Sequence, residues 1–459
     1  MMQQKLLLKM LAMGFLAFLL LIPLSMIEST ISERRMNRDS VRNDIAASWT
    51  GSQKITGPLL AVPYKEKLQV HAFDPAFKQT VVREEVRQHI SYILPDTLRI
   101  NSQVKTEKRS RGIFSTPVYT SKLSVSGTFQ VPEHFGIDPS KDTITLDEPF
   151  ITIGIDDIRG IREGLIFNWE QTMREVRPGT EKTILSNGVH VPLGKLNDAE
   201  SHTYNFSFDM EIQGLDRLEF APLGKTTNIT LASEWPHPLF IGRFLPTERQ
   251  ISDRGFSATW KTTHFATNAE QTLNECLNGN CRDFLGTTLG VALIEPVDIY
   301  VQANRSVKYG ILFVTLTFVV FFLFEVLKRL SIHPIQYGLV GAALALFYLL
   351  LISLSEHLEF GISYCIAAGG CVALLSFYVS YVLKSFARGC SFGTMISTLY
   401  GVLYVLLQSE DYALLMGSLL LFAVLAAIMV LTRHIDWYQV SANFSPNIRT
   451  KKEAVPVQL

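Results

Sequence analysis

The chain alternates between strongly apolar and mainly polar regions. From Glu28 to Lys308 polar residues and turn signals predominate, whereas from Tyr309 to Thr432 the residues are almost continuously apolar. About 20 mostly apolar residues suffice to cross the hydrocarbon core of a bilayer. The pattern predicts six membrane spans: Leu6–Ile27, Tyr309–Leu327, Tyr337–Leu354, Phe360–Leu383, Phe392–Leu407 and Tyr412–Thr432.

Charges in the connections between these spans alternate in sign. The connections after the second and fourth spans carry Lys and Arg, whereas those after the third and fifth carry Glu and Asp without Lys or Arg. The tail after the sixth span is again basic. Because basic loops stay in the cytoplasm, both termini are predicted to be cytoplasmic and residues 28–308 to lie on the other side of the membrane. Arg34, Arg35 and Arg38 oppose this orientation, and the later loops outweigh them.

The first apolar segment is predicted to be a retained anchor. A cleaved signal peptide is the alternative, but the apolar run is longer than usual and no A-x-A-like site follows it. Apolar residues at Ile27, Ile31, Val41 and Ile45 are compatible with helical spacing. The anchor is therefore predicted to continue as a short, charged, helical stalk.

The polar region is predicted to be β-rich and mostly antiparallel. Apolar and polar residues alternate in Tyr119–Val131 and in Tyr204–Ile212, as they do in half-buried strands. The length fits one large sandwich or two smaller subdomains with a boundary near 177–188. The predicted layout is an N-terminal transmembrane anchor (1–27), a helical stalk (28–49), a periplasmic β-rich domain (50–308), a five-span transmembrane bundle (309–432) and a cytoplasmic tail (433–459).

Two cysteines of the β-rich region, Cys276 and Cys281, flank the pair Asn278 and Gly279. Asn-Gly favours a two-residue type I′ hairpin turn. Such a turn would set the cysteines opposite each other at a non-hydrogen-bonded position, within reach of a disulfide. An oxidising compartment would close that bond. Free thiols and half of a zinc site are the alternatives.

Composition and motifs give no indication of catalysis. The formal net charge is zero and no basic aromatic patch is present, so nothing favours nucleic acid binding. P-loop, G-x-G-x-x-G, H-E-x-x-H and G-x-S-x-G motifs are absent. The chain is therefore predicted not to be an enzyme, with no catalytic residue, metal site or cofactor.

Isolated polar residues have structural interpretations. His190, His202, His237 and His264 are scattered through predicted strands and turns. Adjacent strand carboxylates point to opposite faces, so Asp156 and Asp157 do not form a pair for acid–base chemistry. Together with Arg159 they predict a turn that contains a salt bridge.

Charges are scarce in the predicted bundle. The last four spans contain no Asp, Glu, Lys, Arg or His, and the second contains only Glu325. Lys328 and Arg329 follow at helical spacing, which predicts local ion pairing at the cytoplasmic edge of the membrane. Intramembrane charges usually mark ion or proton pathways, so this bundle is predicted to be a scaffold rather than a conduit for charge. A pathway for an apolar lipid remains compatible with the pattern.

The segment SEWPHPLFIGRFLPTERQ, Ser233 to Gln250, is rich in proline and aromatic residues. Proline cannot donate to a central ladder, so the segment is predicted to be a turn or an edge that defines the fold. A docking surface for a partner and catalysis or metal binding by His237 are the alternatives. The residues of this corner are Trp235, Pro236, His237, Pro238, Phe240, Gly242, Phe244 and Pro246.

The same segment begins the run SEWPHPLFIGRFLPTERQISDRGFSATWKTTHFATN, which resembles the signature region of the CreD family of bacterial inner-membrane proteins. The resemblance continues in TGSQKITGPLLAVP, KYGILFVTLTFVVFFLFE, SIHPIQYGLVGAALALFYLLLISLSEH and TRHIDWY. It therefore extends over nearly the whole chain.

The resemblance implies a function in the cell envelope. It implies an inner-membrane protein that supports envelope integrity and stress response, including colicin tolerance and the response to β-lactams, under two-component control. It carries over no catalytic residue, and the Cys276–Cys281 pair is not part of the family pattern. The expected partners are bilayer lipid and an envelope protein or cell-wall component. The alternatives are a transporter of a lipid or hydrophobic compound and a periplasmic enzyme acting on envelope material.

Overall fold

The structure is a computed structural model that describes residues 2–74, 79–137, 144–181, 183–295, 298–327, 332–408 and 413–433. The chain divides into two units. Met1–Arg38 and Val297–Leu459 form one, which we call the helical unit, and Asp39–Pro296 form the other, which we call the β unit.

The described part of the β unit contains seventeen strands in two sheets. In chain order they are β1 (Gln53–Asp74), β2 (Gln79–Ile93), β3 (Thr97–Arg111), β4 (Phe114–Val131), β5 (Ile144–Leu146), β6 (Phe150–Ile155), β7 (Ile166–Trp169), β8 (Thr172–Arg174), β9 (Arg177–Pro178), β10 (Gly188–Pro192), β11 (His202–Leu215), β12 (Arg217–Phe220), β13 (Thr226–Ser233), β14 (Pro238–Gly242), β15 (Glu248–Ser252), β16 (Gly255–Thr263) and β17 (Leu289–Leu293).

The two sheets differ in strand order but are both mixed. The nine-stranded sheet has the order β14-β17-β12-β1-β6-β10-β9, with β2 and β5 also paired to β1. The eight-stranded sheet has the order β15-β16-β13-β3-β4-β11-β7-β8. Strands β1 and β12 pair in parallel, as do β3 and β13, whereas the other pairings between strands are antiparallel. The expectation of a β-rich, mostly antiparallel domain is therefore confirmed, although each sheet contains one parallel pairing.

Alternating side chains of both sheets build one core. Leu98, Ile100, Ser102 and Val104 of β3 are buried and the residues between them are exposed, because successive strand residues point to opposite faces. The same core contains Ile151 of the nine-stranded sheet and Trp260 of the eight-stranded sheet. The candidate subdomain boundary, 177–188, contains β9 and the start of β10, and both strands belong to this unit.

Helices account for the helical unit and for short connections in the β unit. In chain order they are α1 (Met2–Leu19), α2 (Leu21–Ser48), α3 (His264–Thr267), α4 (Ala269–Leu277), α5 (Arg282–Gly286), α6 (Ile299–Lys308), α7 (Gly310–Leu327), α8 (Pro334–Ser355), α9 (Phe360–Val382), α10 (Phe386–Gln408) and α11 (Ala413–Thr432). Short 3-10 turns lie at Glu133–Gly136 and Ile158–Gly160.

The turn around Asn278 and Gly279 joins two helices, so the predicted β-hairpin is wrong. Cys276 lies in the last turn of α4, and Cys281 immediately precedes α5. A disulfide joins the two cysteines. The N–H of Gly279 bonds the carbonyl of Cys276 at 2.9 Å, which closes a helical C-terminus. The amphipathic pattern of α4, with Ala269, Leu273 and Cys276 buried, outweighs the turn preference of Asn-Gly.

Four described helical stretches are long and apolar enough to cross a membrane: Leu8–Ser48, Pro334–Ser355, Phe360–Val382 and Phe386–Gln408. Helices α6 and α7, bent by 42° where they meet, pass the same test as a pair. A shorter apolar stretch, Leu415–Val430, lies in α11. Part of the predicted sixth span falls outside the described residues.

Helix α10 begins six residues before the predicted fifth span. Its first turns carry Gly389 and Gly393, one helical turn apart. A β-carbon at Gly389 would lie 2.8 Å from Ser380 Cβ, and one at Gly393 would lie 3.1 Å from Ser376 Cβ. Small residues therefore allow α9 and α10 to approach closely, as is common between membrane helices.

Candidate functional site

The proline-rich corner connects the edges of the two sheets. The chain leaves β13 inside the eight-stranded sheet and turns at residues 234–237. It then forms β14, which is the edge of the nine-stranded sheet. Residues 243–247 return it to β15, which is the edge of the eight-stranded sheet. Pro238 therefore lies in an edge strand, where a missing N–H is tolerated.

Aromatic side chains fix this corner to the core. Trp235 is buried, and its indole Nε1 donates to the carbonyl of Ile294 at 3.0 Å. The ring of Phe240 stands edge-on to that of Trp260, with centroids 5.8 Å apart. Trp260 Nε1 in turn donates to the carbonyl of Phe244 at 3.1 Å. Apolar area and hydrogen-bonded indoles thus stabilise the corner together.

Gly242 permits the turn out of β14. Its φ of +98° favours glycine, and a β-carbon there would lie 2.7 Å from Leu289 Cα. The next residue, Arg243, donates its backbone N–H to the carbonyl of Thr288 at 2.7 Å. The corner therefore requires glycine both for its conformation and for its close approach to β17.

The outer side of the corner is apolar and solvent-exposed. Leu239, Leu245 and Ile251 are 48%, 70% and 51% exposed. All five residues of β15 are exposed. Strands β14 and β15 each have a ladder partner on one side only, so both present unpaired backbone groups outward. We call this surface, formed by β14, residues 243–247 and β15, the corner edge.

The four histidines singled out in the sequence lie in separate places within the β unit. His190 is buried on β10, where its Nδ1 is 2.9 Å from the carbonyl oxygen of Gly179. His202 contacts the ring of Tyr204, and His264 that of Phe265. His237 is exposed within the corner. Among the described residues no three His, Cys, Asp or Glu side chains come together as metal ligands.

Asp157 and Arg159 form the predicted salt bridge in a 3-10 turn. The Arg159 guanidinium donates to both carboxylate oxygens of Asp157, at 2.6 and 2.9 Å. The backbone N–H of Gly51 donates to the same carboxylate at 3.1 Å, and Arg159 Nη1 donates to the carbonyl of Ala47. The bonds from Arg159 lower the pKa of Asp157, whereas burial raises the pKa of Asp156. The two neighbouring carboxyls thus have opposite electrostatic environments.

Glu325 lies in a hydrogen-bonded cluster inside the helical unit. Its fully buried carboxylate is ion-paired with Lys9 Nζ. It also accepts from the Tyr337 hydroxyl at 2.8 Å and from the backbone N–H of Ile332 at 3.0 Å. Lys9 additionally donates to the Ile332 carbonyl at 2.8 Å. We call these four residues the inner cluster.

The sequence predicts Lys328 and Arg329 as partners of Glu325, and both lie outside the described residues. Lys9 is 316 positions away in the chain, and nothing in the sequence connects it with Glu325. The only feature of the sequence that draws attention to Lys9 is that it is a basic residue inside an otherwise apolar first span. Such a residue needs a partner when the helix is buried in lipid or protein.

A second cluster of charges ties α2 to α6 and to the end of α8. Arg34 Nε lies 3.6 Å from a carboxylate oxygen of Glu356, which also accepts from the Tyr300 hydroxyl at 3.4 Å. Arg38 Nη1 lies 2.7 Å from a carboxylate oxygen of Asp298. We call these five residues the outer cluster. Arg34 and Arg38, which oppose the charge rule in the sequence, are therefore locally neutralised.

The two clusters bracket the apolar part of the first helical stretch. Lys9 and Arg34 are 25 residues apart, which corresponds to about 37 Å of helix. The hydrocarbon core of a bilayer is about 30 Å thick. The spacing therefore fits charged groups at the two opposite surfaces of a membrane.

Apolar helices of spanning length, joined through a large two-sheet insertion, define a multi-pass membrane protein. Residues 5–438 match the family described as Inner membrane protein CreD. The chain is 36% identical over 435 residues to Inner membrane protein CreD of Escherichia coli (strain K12), with 95% of this chain and 94% of the relative covered. The chain therefore belongs to the CreD family of inner membrane proteins, as the sequence motifs predict.

Solved structures resemble only part of the chain. Two crystal structures of an M1 zinc metallopeptidase from Deinococcus radiodurans superpose with TM-scores of 0.21 and 0.17 and sequence identities of 8% and 9%. Each match covers 37% of this chain and about two fifths of the peptidase chain, 39% and 38%. Likeness at this level carries no inference about activity.

Proposed function

We propose that the protein crosses the inner membrane six times, with both termini in the cytoplasm and residues 28–308 in the periplasm. The alternating charges of the connections support this orientation. The outer cluster supports it as well, because Arg34 and Arg38 carry partners that offset their charge. The disulfide between Cys276 and Cys281 fits an oxidising compartment.

In this arrangement the β unit supports envelope integrity as a docking module rather than as an enzyme. The corner edge is the observation that carries the proposal, because it combines two unpaired strand edges with exposed Leu245 and Ile251. Exposed strand edges recruit extended segments of partners by strand addition. Apolar residues beside such an edge provide the buried area that stabilises a complex.

The occupant proposed for the corner edge is an extended segment of another envelope protein. Arg249 lies on β15 and is exposed to solvent. A neutral or acidic strand with apolar side chains fits this surface. Colicin tolerance and the β-lactam response, which the family resemblance implies, would then depend on this contact.

Site-specific photocrosslinking in cells tests this role. A photoreactive residue is placed at Leu245 or Ile251, with Met173 as the control position. Met173 is 74% exposed and lies on β8, the opposite edge of the eight-stranded sheet. We expect a discrete adduct with one envelope protein from the first two positions and none from the third. The same adducts from all three positions, or only adducts with a second copy of this chain, would refute the docking role.

A charge substitution provides the functional counterpart. Leu245→Glu should abolish complementation of a deletion strain in colicin and β-lactam tolerance assays, because it places a carboxylate on the apolar contact. Met173→Glu makes the same change at the opposite edge and should complement fully. Equal complementation by the two variants, at equal protein levels, would contradict the proposal.

A further inference from the structure

A polar cleft lies on the solvent-facing side of the eight-stranded sheet. Its volume is about 540 Å³, within the range of about 300–1,000 Å³ that ligand sites occupy. Its lining comes from β3, β4, β7 and β11 and from the turn that follows β7. All of these elements belong to the β unit. We call this site the polar cleft.

The register of the strands sets most of the lining in two rows. The first row runs across β3, β4, β11 and β7 and consists of Arg99, Ser126, Ser207 and Asn168. The second row runs across β3, β4 and β11 and consists of Thr97, Thr128 and Asn205. Residues that are opposite each other in a ladder point to the same face of the sheet. These side chains therefore converge on one surface.

The lining combines one positive charge with many uncharged hydrogen-bonding groups. Arg99 is the only charged residue among the described residues that line the cleft. Apart from Gly127 and Phe206, its other lining residues carry a hydroxyl or an amide group. Phe206 is 3% exposed, so it offers a ligand little apolar area. The cleft is therefore suited to a ligand that is itself polar.

The turn between β7 and β8 contributes to the cleft under backbone strain. Its two residues, Glu170 and Gln171, have φ values of +46° and +60°, and such turns favour Asn and Gly. Gln171 lines the cleft. The Glu170 carboxylate accepts from the backbone N–H of Asn205 and, at 3.3 Å, from Asn205 Nδ2. Strained backbone of this kind concentrates at functional sites.

Hydrogen bonds within the β unit orient the groups of the cleft. The hydroxyls of Thr97 and Thr128 lie 2.9 Å apart and bond to each other. Asn205 is oriented by its bonds to Glu170 in the same way. A ligand that binds groups already held in place loses less conformational entropy on binding.

We propose that the polar cleft binds an acidic sugar. The sugar carboxylate pairs with the Arg99 guanidinium, which can bind a carboxylate through two parallel hydrogen bonds. The sugar hydroxyls bond to Asn168 and Asn205, because amide and hydroxyl side chains both donate and accept. One negative charge is specified because the described lining contains one cation and no acid. The inference is independent of the docking role of the corner edge, which is formed by β14, residues 243–247 and β15.

The test measures binding of disaccharides to the purified full-length protein by isothermal titration calorimetry. The acidic probes are N-acetylglucosaminyl-N-acetylmuramic acid and glucuronyl-N-acetylglucosamine. The neutral probe is di-N-acetylchitobiose, which matches the first acidic probe but lacks its carboxylate. We expect saturable binding of at least one acidic probe and binding of the neutral probe that is at least about tenfold weaker. The tighter of the two acidic probes identifies the class of acidic sugar.

Two substitutions on β3 separate a specific role of Arg99 from a general effect of charge. Arg99→Gln should weaken binding of the acidic probe about tenfold and leave binding of the neutral probe unchanged. Lys105→Gln is the control, because Lys105 is exposed on the same face of β3, six residues from Arg99. That separation corresponds to about 20 Å of strand, so this variant should bind like wild type. Ser126→Trp, which fills the cleft, should abolish binding of both kinds of probe.

Thermal unfolding shows whether the variants are folded before binding is compared. Arg99 is exposed, so Arg99→Gln should unfold at the same temperature as wild type. If Ser126→Trp fails to fold, the comparison of Arg99→Gln with Lys105→Gln decides. Absence of saturable binding by both acidic probes, equal affinity for the neutral probe, or equal losses in Arg99→Gln and Lys105→Gln would overturn the proposal. None of these results would affect the crosslinking test of the corner edge.

Discussion

Lys9 and Glu325 form an ion pair inside the helical unit although they are 316 positions apart in the chain. The pair joins α1 to α7, and Tyr337 of α8 donates to the same carboxylate. Three helices thus converge on one buried charge. Buried ion pairs are often neutral for stability as a whole, but breaking one leaves an uncompensated charge. The pair therefore specifies where the first helix docks.

The two single substitutions of this pair should differ strongly in how much they destabilise the protein. Lys9→Met leaves the Glu325 carboxylate buried and unpaired, which should destabilise the protein by about 3–5 kcal/mol. Glu325→Gln should cost less, because the Lys9 side chain is 13% exposed and can reach water. The double variant should recover most of the loss. Thermal unfolding of the four proteins in detergent measures this cycle.

Glu359→Gln is the control for that cycle. Glu359 is exposed immediately before α9, so loss of its charge should leave the unfolding temperature unchanged. A Lys9→Met protein that unfolds like wild type, or a double variant no better than Lys9→Met, would show that the pair does not hold the first helix.

Asp157 should make the β unit sensitive to acid. Its pKa is lowered by Arg159, so its bonds stabilise the fold above the unfolded carboxyl pKa of about 3.9. The stabilisation is lost as the pH falls through the lower folded pKa. Asp157→Asn should lower the unfolding temperature at pH 7 and should flatten the decline of stability below about pH 4.

Asp156 provides a matched comparison, because its pKa is shifted in the opposite direction from that of Asp157. Burial raises the pKa of Asp156, so its charged form opposes folding at neutral pH. Asp156→Asn should therefore leave the unfolding temperature at pH 7 unchanged or raise it. If the two asparagine variants behave alike across the pH series, the hydrogen bonds of Asp157 do not have the assigned role.

Replacing Gly242 should destabilise the β unit more than replacing Gly279, a glycine with a similar positive φ in another turn. Gly242→Ala forces a β-carbon onto the backbone of Thr288 and Leu289, whereas Gly279, with a similar φ of +100°, has open space around it. Gly279→Ala should lower the free energy of unfolding by about 1 kcal/mol, because of its backbone conformation alone. Gly242→Ala should lower the free energy of unfolding several times more. Equal unfolding temperatures for the two variants would argue against a tightly packed corner.

Local patterns in the sequence predict several elements well. The alternation in Tyr119–Val131 and Tyr204–Ile212 lies within β4 and β11, because strand side chains alternate between the core and solvent. The prolines of the corner predict a turn or edge, and Pro238 does lie in an edge strand. The CreD motifs predict the family, which the comparison of the whole chain confirms.

Contacts that depend on the folded chain are not encoded locally. The Asn-Gly pair at 278 and 279 predicts a hairpin, but the apolar spacing of the preceding residues forms α4. The partner of Glu325 comes from the first helix, which no spacing rule connects with α7.

The most direct test is to determine on which side of the membrane the β unit lies. Met173→Cys, in a protein whose Cys365, Cys371 and Cys390 are replaced by serine, should react with a membrane-impermeant maleimide in intact spheroplasts. Lys384→Cys, exposed between α9 and α10, should react only after the membrane is permeabilised. This pair of results is the outcome that a periplasmic β unit predicts. Labelling of Lys384→Cys in intact spheroplasts, with Met173→Cys protected until lysis, would contradict it.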